Sequence, residues 1–350
     1  MKKIVFNLMH NSFLFSMIIT RIINLKNYCF KSYEKVLSEK KELDIWDVEK
    51  LSQEMRPYYS DSTPNSSYYG ITYHLKKYAQ TNKIIGLNSE HGLYFGDYVE
   101  KESEGKSVRK NVTISNKRLD ILKKADVSNG ISVGPYINYV PEYYDSSKTK
   151  KIKKDLGKVL LAFPPHSTRT VDAVYDKKLF IDYLNKQKEN FDTIMVCFFY
   201  KDIQNGAHIN YKENGFLIVS AGHMFDANFL SRQKTMISLA DHTVSATVGT
   251  HIGYCIFLGK SHEIVNLSNN NINGNKHKSI DKKNDNQDLA NIVRPMFDRD
   301  EDLMLETFLE GTNSTDEEKY KLASEYWGFD CVRTNTELKK MFYSKCREEA

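Results

Sequence analysis

Short apolar runs closed by turn residues recur along this chain, and between them lie stretches whose apolar residues repeat at helical spacing. In the second half the runs are Lys158–Phe163, Phe191–Tyr200, Phe216–Ser220 and Thr243–Ser245. Helical patterns follow over 172–189, from Phe229 to Ala240, and from Ile252 until Gly259 stops the last one. Strand, loop and helix alternating in this way predict a parallel sheet covered on both faces. The first half repeats the theme more loosely. Lys83–Asn88 and Val112–Ser115 read as strands, Tyr69–Tyr78 and Asn116–Ala125 as helices, and Gly130–Tyr139 as the closing piece.

Outside these units, residues 31–57 are charged and helical in pattern up to Arg56-Pro57, and Tyr58–Ser67 is a loop by composition. Ser146–Asp155 reads as a solvated basic linker and the best domain boundary. The Asn- and Lys-rich run within 266–288 has almost no apolar content and is expected to be a mobile insertion. Beyond it the chain is acidic and helical, with Trp327 as a packing anchor. The expected organisation is therefore an acceptor domain over 1–150 with a leading helical segment to about residue 57, a second domain over 151–330, and a C-terminal helix over 331–350.

Composition adds bounds rather than detail. A chain of 350 residues with 40% hydrophobic content exceeds one typical domain. The net charge of +5, from 50 basic and 45 acidic residues, suits an anionic substrate or a membrane surface. No basic block is interleaved with stacking aromatics, so nucleic acid is not an expected partner. Five scattered cysteines, odd in number and without a C-x-x-C pair, point to a reducing cytoplasm rather than a disulfide frame or zinc site. The first twenty residues imitate a signal peptide, but Asn7, His10 and Asn11 interrupt the apolar run. They read instead as an amphipathic helix that packs on a domain, or that touches the inner face of a membrane peripherally.

Candidate chemistry collects at the strand ends, where alternating α/β folds place their ligands. Glu90 and His91 follow the Lys83–Asn88 run. In the second half the ends carry His166 and Ser167, Tyr200 and Lys201, Gly222 and His223, and then Ser245, Thr247, Gly249, Thr250 and His251. Hydroxyls and a glycine at a helix start suit a phosphate.

In this order, an H-G loop, a P-P-H-S-T loop, a strand ending F-F-Y-K, an A-G-H loop and the S-x-x-x-G-T-H-I-G-Y-C…G-K-S-H run resemble bacterial capsule- and O-antigen-type surface-polysaccharide glycosyltransferases of the GT-B fold. The resemblance spans roughly residues 80–265. CDP-glycerol-type polymer transferases and some sialyl- or Kdo-transferases share the plan. It implies two Rossmann-like parallel-sheet domains facing across a cleft, a nucleotide-sugar donor, and a glycan or lipid-linked acceptor. It also implies His91 as general base with Glu90 beside it, and donor binding by His166, Ser167, Tyr200, Lys201, Gly222, His223, Ser245, Thr247, Gly249, Thr250 and His251. Val244-Ser245-Ala246-Thr247 departs from the D-Y-S-S-type loop of glycerol-phosphate polymerases. Neither a cofactor nor a metal is expected, because the only tidy D-x-D candidate, Asp298-Arg299-Asp300 within the acidic run Phe297–Asp302, follows no apolar strand and reads as a solvated helix start. The rival readings are a sugar-nucleotide epimerase of the same plan, a glycerol- or polyol-phosphate transferase, and a binding protein without catalysis.

Overall fold

A computed structural model describes residues 2–167, 171–267, 278–281 and 299–344. Its leading layer is helical: α1 (Lys2–Asn11), α2 (Phe13–Tyr28), α3 (Tyr33–Lys40), the single turn α4 (Val48–Leu51) and α5 (Ile71–Tyr78). A parallel sheet of three short strands follows, β1 (Leu87–Ser89), β2 (Lys110–Thr113) and β3 (Gly130–Ser132), in that order, with α6 (Asn116–Lys124) between β2 and β3.

The expected linker over 146–155 is instead a helix, α7 (Ser146–Leu156). Asp145 caps it by accepting from Lys148 N at 2.8 Å, and Gly157 closes it at φ +66°. No residue of α7 is buried, so lysines that read as a tether are the solvent face of a capped helix.

The second sheet is parallel throughout and ordered β7-β6-β4-β8-β9: β4 (Val159–Phe163) lies between β6 (Thr193–Cys197) and β8 (His242–Ser245), with β7 (Leu217–Val219) and β9 (His262–Ile264) at the edges. Around it run α8 (Lys177–Gln187), α9 (Tyr200–Gln204), α10 (Ile209–Glu213), α11 (Phe229–Leu239) and α12 (His251–Phe257). The helix expected over 172–189 begins only at Lys177. Before it, β5 (Val171–Val174) pairs antiparallel with β10 (Lys278–Asp281). Part of the stretch expected to be a mobile insertion is thus paired backbone, and the remainder, after Leu267, lies outside the described residues. The chain ends in helical residues 299–308 (α13), α14 (Asp316–Trp327) and α15 (Asn335–Tyr343).

The fold is therefore α/β with two parallel sheets, of three and five strands, as the alternation predicts. One apolar cluster serves both. It runs from Ile71, Leu87 and Val112 through Leu161, Met195 and Ile252 to Phe308, Trp327 and Leu338. The ends of the chain cross between the halves. Ser220 N donates to Ile45 O at 2.9 Å and His223 N to Leu51 O at 3.1 Å, so residues 45–52 lie on the five-stranded side. In the other direction, Arg333 N donates to the Tyr139 hydroxyl at 2.9 Å, and α15 packs beside α5.

Buried histidines give this core an acid weakness. His74 faces Ala227 O at 2.8 Å, and burial lowers it to about 4. His262 is enclosed between the Thr243 and Ser245 hydroxyls, at 2.9 and 3.0 Å, and burial holds it well below 6.5. Such a group is neutral when folded and titrates near its ordinary value when unfolded. Below pH 6.5 the unfolded chain therefore binds more protons, and stability falls as pH drops toward the folded pKa. His74 alone accounts for a loss of about 3 kcal/mol across that window. Denaturant midpoints measured from pH 7.5 down to 4.5 should fall steadily below about pH 6.5, and His74→Gln should flatten the slope; a flat profile in the parent protein would contradict it.

Candidate active site

The order of the second sheet puts its switch point at β4, whose two neighbours are reached by chain running in opposite directions, and ligands bind outside the carboxyl ends of strands at such a point. A cleft opens there. Phe163 enters it from the end of β4, Pro164 and His166 just after it, Phe198 and Phe199 after β6, Ala221 after β7, and Thr247 to His251 after β8. From the other half come Tyr69, Ile71 and His91. The carboxyl end of β1 thus meets the carboxyl ends of the larger sheet in one cavity.

Glycine makes this meeting close. A Cβ on Gly92 would lie 3.1 Å from Thr250 Oγ1, and its absence lets Leu93 N donate to that oxygen at 2.9 Å across the two halves. Trp327 Nε1 donates to Thr250 O at 3.0 Å from behind. Opposite, Tyr69 and Gly70 take consecutive left-handed conformations, φ +53° and +71°, and Tyr69 N donates to Met224 O at 2.7 Å. A tyrosine held in that region is costly, and such cost concentrates at ligand sites.

His91 is positioned by its own loop. Tyr94 donates its proton to Glu100 Oε1 at 2.5 Å, so its oxygen accepts from His91 Nδ1–H at 3.0 Å. Glu100 is held in turn by Asn65 Nδ2 at 2.8 Å. Nδ1 is the nearer ring nitrogen, Nε2 lying 3.4 Å from the same oxygen, so the arrangement favours the proton on Nδ1 and the lone pair on Nε2. Burial lowers the His91 pKa, with Glu100 and Glu102 opposing, so the ring is neutral near pH 7 and can accept a proton. Tyr68 packs against it at 5.1 Å between ring centres.

Several expected site residues sit elsewhere. Glu90 is buried and turned from the cleft: Thr113 Oγ1 and Arg118 Nε donate to it at 2.7 and 2.8 Å. It does not orient His91; the partner is the Tyr94–Glu100 pair, which Arg118 supports from beneath, 5.2 Å from the Tyr94 ring. Ser245 is buried, donating to Thr247 O at 2.9 Å beside His262. Ser167 N donates to Asp202 at 3.0 Å, and Ala173 N to the Ser167 hydroxyl at 3.1 Å. Gly222, at φ +89°, packs against Arg232 and Leu51. Tyr200 and His223 pack with their rings tilted at 47° and centres 4.1 Å apart behind the cleft, and burial lowers His223 to about 4. Lys201 is half-buried on α9 and is not part of the lining. His166, Thr247, Gly249, Thr250 and His251 do converge with His91.

His251 stacks on Phe163 at 4.5 Å, and burial, with His166 nearby, lowers it to about 3. Its Nε2 is buried with no hydrogen-bond partner among the described residues. Gly249 has no room for a side chain, since a Cβ would lie 2.7 Å from the His251 ring. Of the D-x-D run, Asp298 lies outside the described residues, and Asp300 accepts from Gly96 N at 2.8 Å and the Tyr326 hydroxyl at 2.6 Å. Tyr94, Glu100 and Tyr69 are contributors the motif order does not reveal. The signal for the first two is a tyrosine and a carboxylate in the same ten-residue loop as the histidine.

Fold and site together define a two-sheet α/β protein whose strand ends form one histidine-lined cleft. No protein-family profile matches the chain, and no curated protein sequence does. Among solved structures it is similar to one described as the wall teichoic acid polymerase TagF, with 14% identity and a TM-score of 0.39 over 74% of this chain. The match spans 62% of that chain.

Proposed function

We propose that this protein is a transferase that moves a group from a nucleotide-activated donor to a hydroxyl of a surface-polysaccharide or lipid-linked acceptor, with His91 as general base. The observation that carries this reading is His91, from the first half, opening into the same cleft as the switch-point loops of the second. His91 Nε2 takes the acceptor proton, the acceptor oxygen bonds to the anomeric carbon, and the bond from that carbon to the phosphate oxygen breaks as the nucleotide leaves. Thr247 and Thr250 supply hydroxyl donors to the departing phosphate; the Thr250 oxygen accepts from Leu93, and its own proton remains to be given. The orphan Nε2 of His251 suits a donor group that completes its hydrogen bonding.

A polyol-phosphate transfer uses the same parts with attack at phosphorus, and one observation favours it. The lining offers three imidazoles, two threonine hydroxyls and the Gln233 amide, groups that answer negative charge building on phosphoryl oxygens rather than positive charge building on a sugar ring. A product that gains a phosphodiester would identify this arm.

The deciding experiment is a thermal-shift panel of CMP-, CDP-, UDP- and GDP-linked donors, followed by turnover with the donor that binds. A ligand present at ~100 times its dissociation constant stabilises by about 2.7 kcal/mol, enough for a clear rise in Tm. No shift with any of the four would defeat the proposal. We further expect turnover to persist in excess chelator, since the Asp300 carboxylate is committed to Gly96 and Tyr326. Activity abolished by chelator and restored by magnesium or manganese would show otherwise.

A further inference from the structure

Helix α2 is built inside out. Its polar stripe faces the protein: the Ser16 hydroxyl bonds the Ser62 carbonyl, Asn24 exchanges two hydrogen bonds of 2.8 Å with the Tyr59 backbone, and Asn27 Nδ2 donates to Pro57 O at 2.9 Å. Its apolar stripe faces away, with Leu14 61%, Ile18 43%, Ile22 55% and Leu25 70% exposed, and Phe30 fully exposed just beyond. At 100° per residue these four positions fall within about 80° of one another, opposite Ser16, Thr20 and Asn27. A single exposed leucine needs no explanation, but a contiguous stripe marks a contact surface.

Charge identifies the partner. Up to Tyr33 the chain carries Lys2, Lys3, Arg21, Lys26 and Lys31 and no acidic residue, while the rest, with 45 basic and 45 acidic residues, is neutral. The whole net charge of +5 therefore lies in and beside this helix. Arg21 and Lys26 are exposed at its flanks. A second copy docked on the stripe about a two-fold axis would bring these cations together, whereas an anionic surface would neutralise them. No helix among the described residues is long and apolar enough to cross a membrane. The 16 residues of α2 suit a helix lying in the plane of the interface.

We propose that α2 docks the protein on an anionic lipid surface, with Leu14, Ile18, Ile22 and Leu25 among the acyl chains and Arg21 and Lys26 on the headgroups. The polar side of α2 grips residues 57–62, the start of the segment that ends in Tyr68 and Tyr69 at His91, so docking holds the approach to the cleft near the membrane. The inference deepens the transferase reading by naming the surface that presents a lipid-linked acceptor. It stands on the helix alone, and its test reads no turnover, so either can fail without the other.

The test is co-sedimentation of the full chain with phosphatidylglycerol-containing vesicles and with phosphatidylcholine vesicles. The parent protein should bind the anionic vesicles and release at ~0.5 M salt. Ile18→Ser combined with Ile22→Ser should lower partition at least ~10-fold with an unchanged thermal midpoint, because both side chains already face solvent. Arg21→Gln with Lys26→Gln, which touches no packed group, should lower it several-fold at low salt only. Absence of binding by the parent protein, or equal binding by both variants, would overturn the proposal. So would a dimer in light scattering that the Ile18/Ile22 variant abolishes, which would assign the face to a second copy.

Discussion

Replacing His91 by Ala or Asn is expected to lower transfer by ~10²–10⁴-fold, the usual cost of losing a positioned general base. Donor affinity should stay near that of the parent protein, because the switch-point loops proposed to meet the donor belong to the other half. The geometry adds a second, graded expectation. Tyr94 ties Nδ1 of His91 to Glu100, so Tyr94→Phe keeps the imidazole and removes its anchor. That variant should retain more activity than His91→Ala while its pH profile moves. In the parent protein burial lowers the His91 pKa, so the acid limb of kcat/KM should fall below pH 6.5, with activity expected above the limb and lost as pH falls through it. Full turnover by His91→Ala would return this histidine to an ordinary loop residue. Loss of nucleotide affinity together with rate would give it a structural or donor-binding role.

Strands β4, β6 and β7 of the larger sheet were legible because each is a run of mostly apolar residues closed by a polar loop, a local signal that needs no tertiary knowledge. The convergence of His166, Thr247, Gly249, Thr250 and His251 followed from the switch-point rule applied to those loops. Tertiary context decided the rest. Ser245, Ser167 and His223 carry the right chemistry at the right strand ends, yet their side chains or backbone are engaged in the wall by His262, Asp202 and Tyr200. Glu90 adjoins His91 in sequence, and residues adjacent along an extended segment point to opposite sides. The lysines of α7 illustrate the converse error: composition reads them as linker, and the Asp145 cap makes them helix. Opposed polar and apolar stripes on α2 are visible in the sequence, but which of them faces the protein is set by the carbonyls of the 57–62 segment.

Gly253→Ala should be the most damaging small substitution in the second half. In a solvent-facing helix the change to alanine stabilises by about 1 kcal/mol. On α12 the new Cβ would lie 2.1–2.3 Å from ring atoms of Trp327, a distance no packed pair tolerates. The ring cannot retreat, since it is fully buried at the end of α14 and its Nε1 is bound to Thr250 O at 3.0 Å. Overpacking of this kind typically costs 1–3 kcal/mol and here should exceed ~3, because the same displacement breaks the Trp327–Thr250 bond. The effect should reach the cleft. Thr250 and His251 begin the helix that the ring supports, so nucleotide affinity should fall along with the urea midpoint. Pairing Gly253→Ala with Trp327→Leu isolates the cause: both single variants should be unstable, and the pair less unstable than the sum of the two, since the smaller side chain frees the space that Cβ needs. A Gly253→Ala protein as stable as its parent would mean that α12 does not rest on Trp327, and the account of how the cleft wall is held would fall with it.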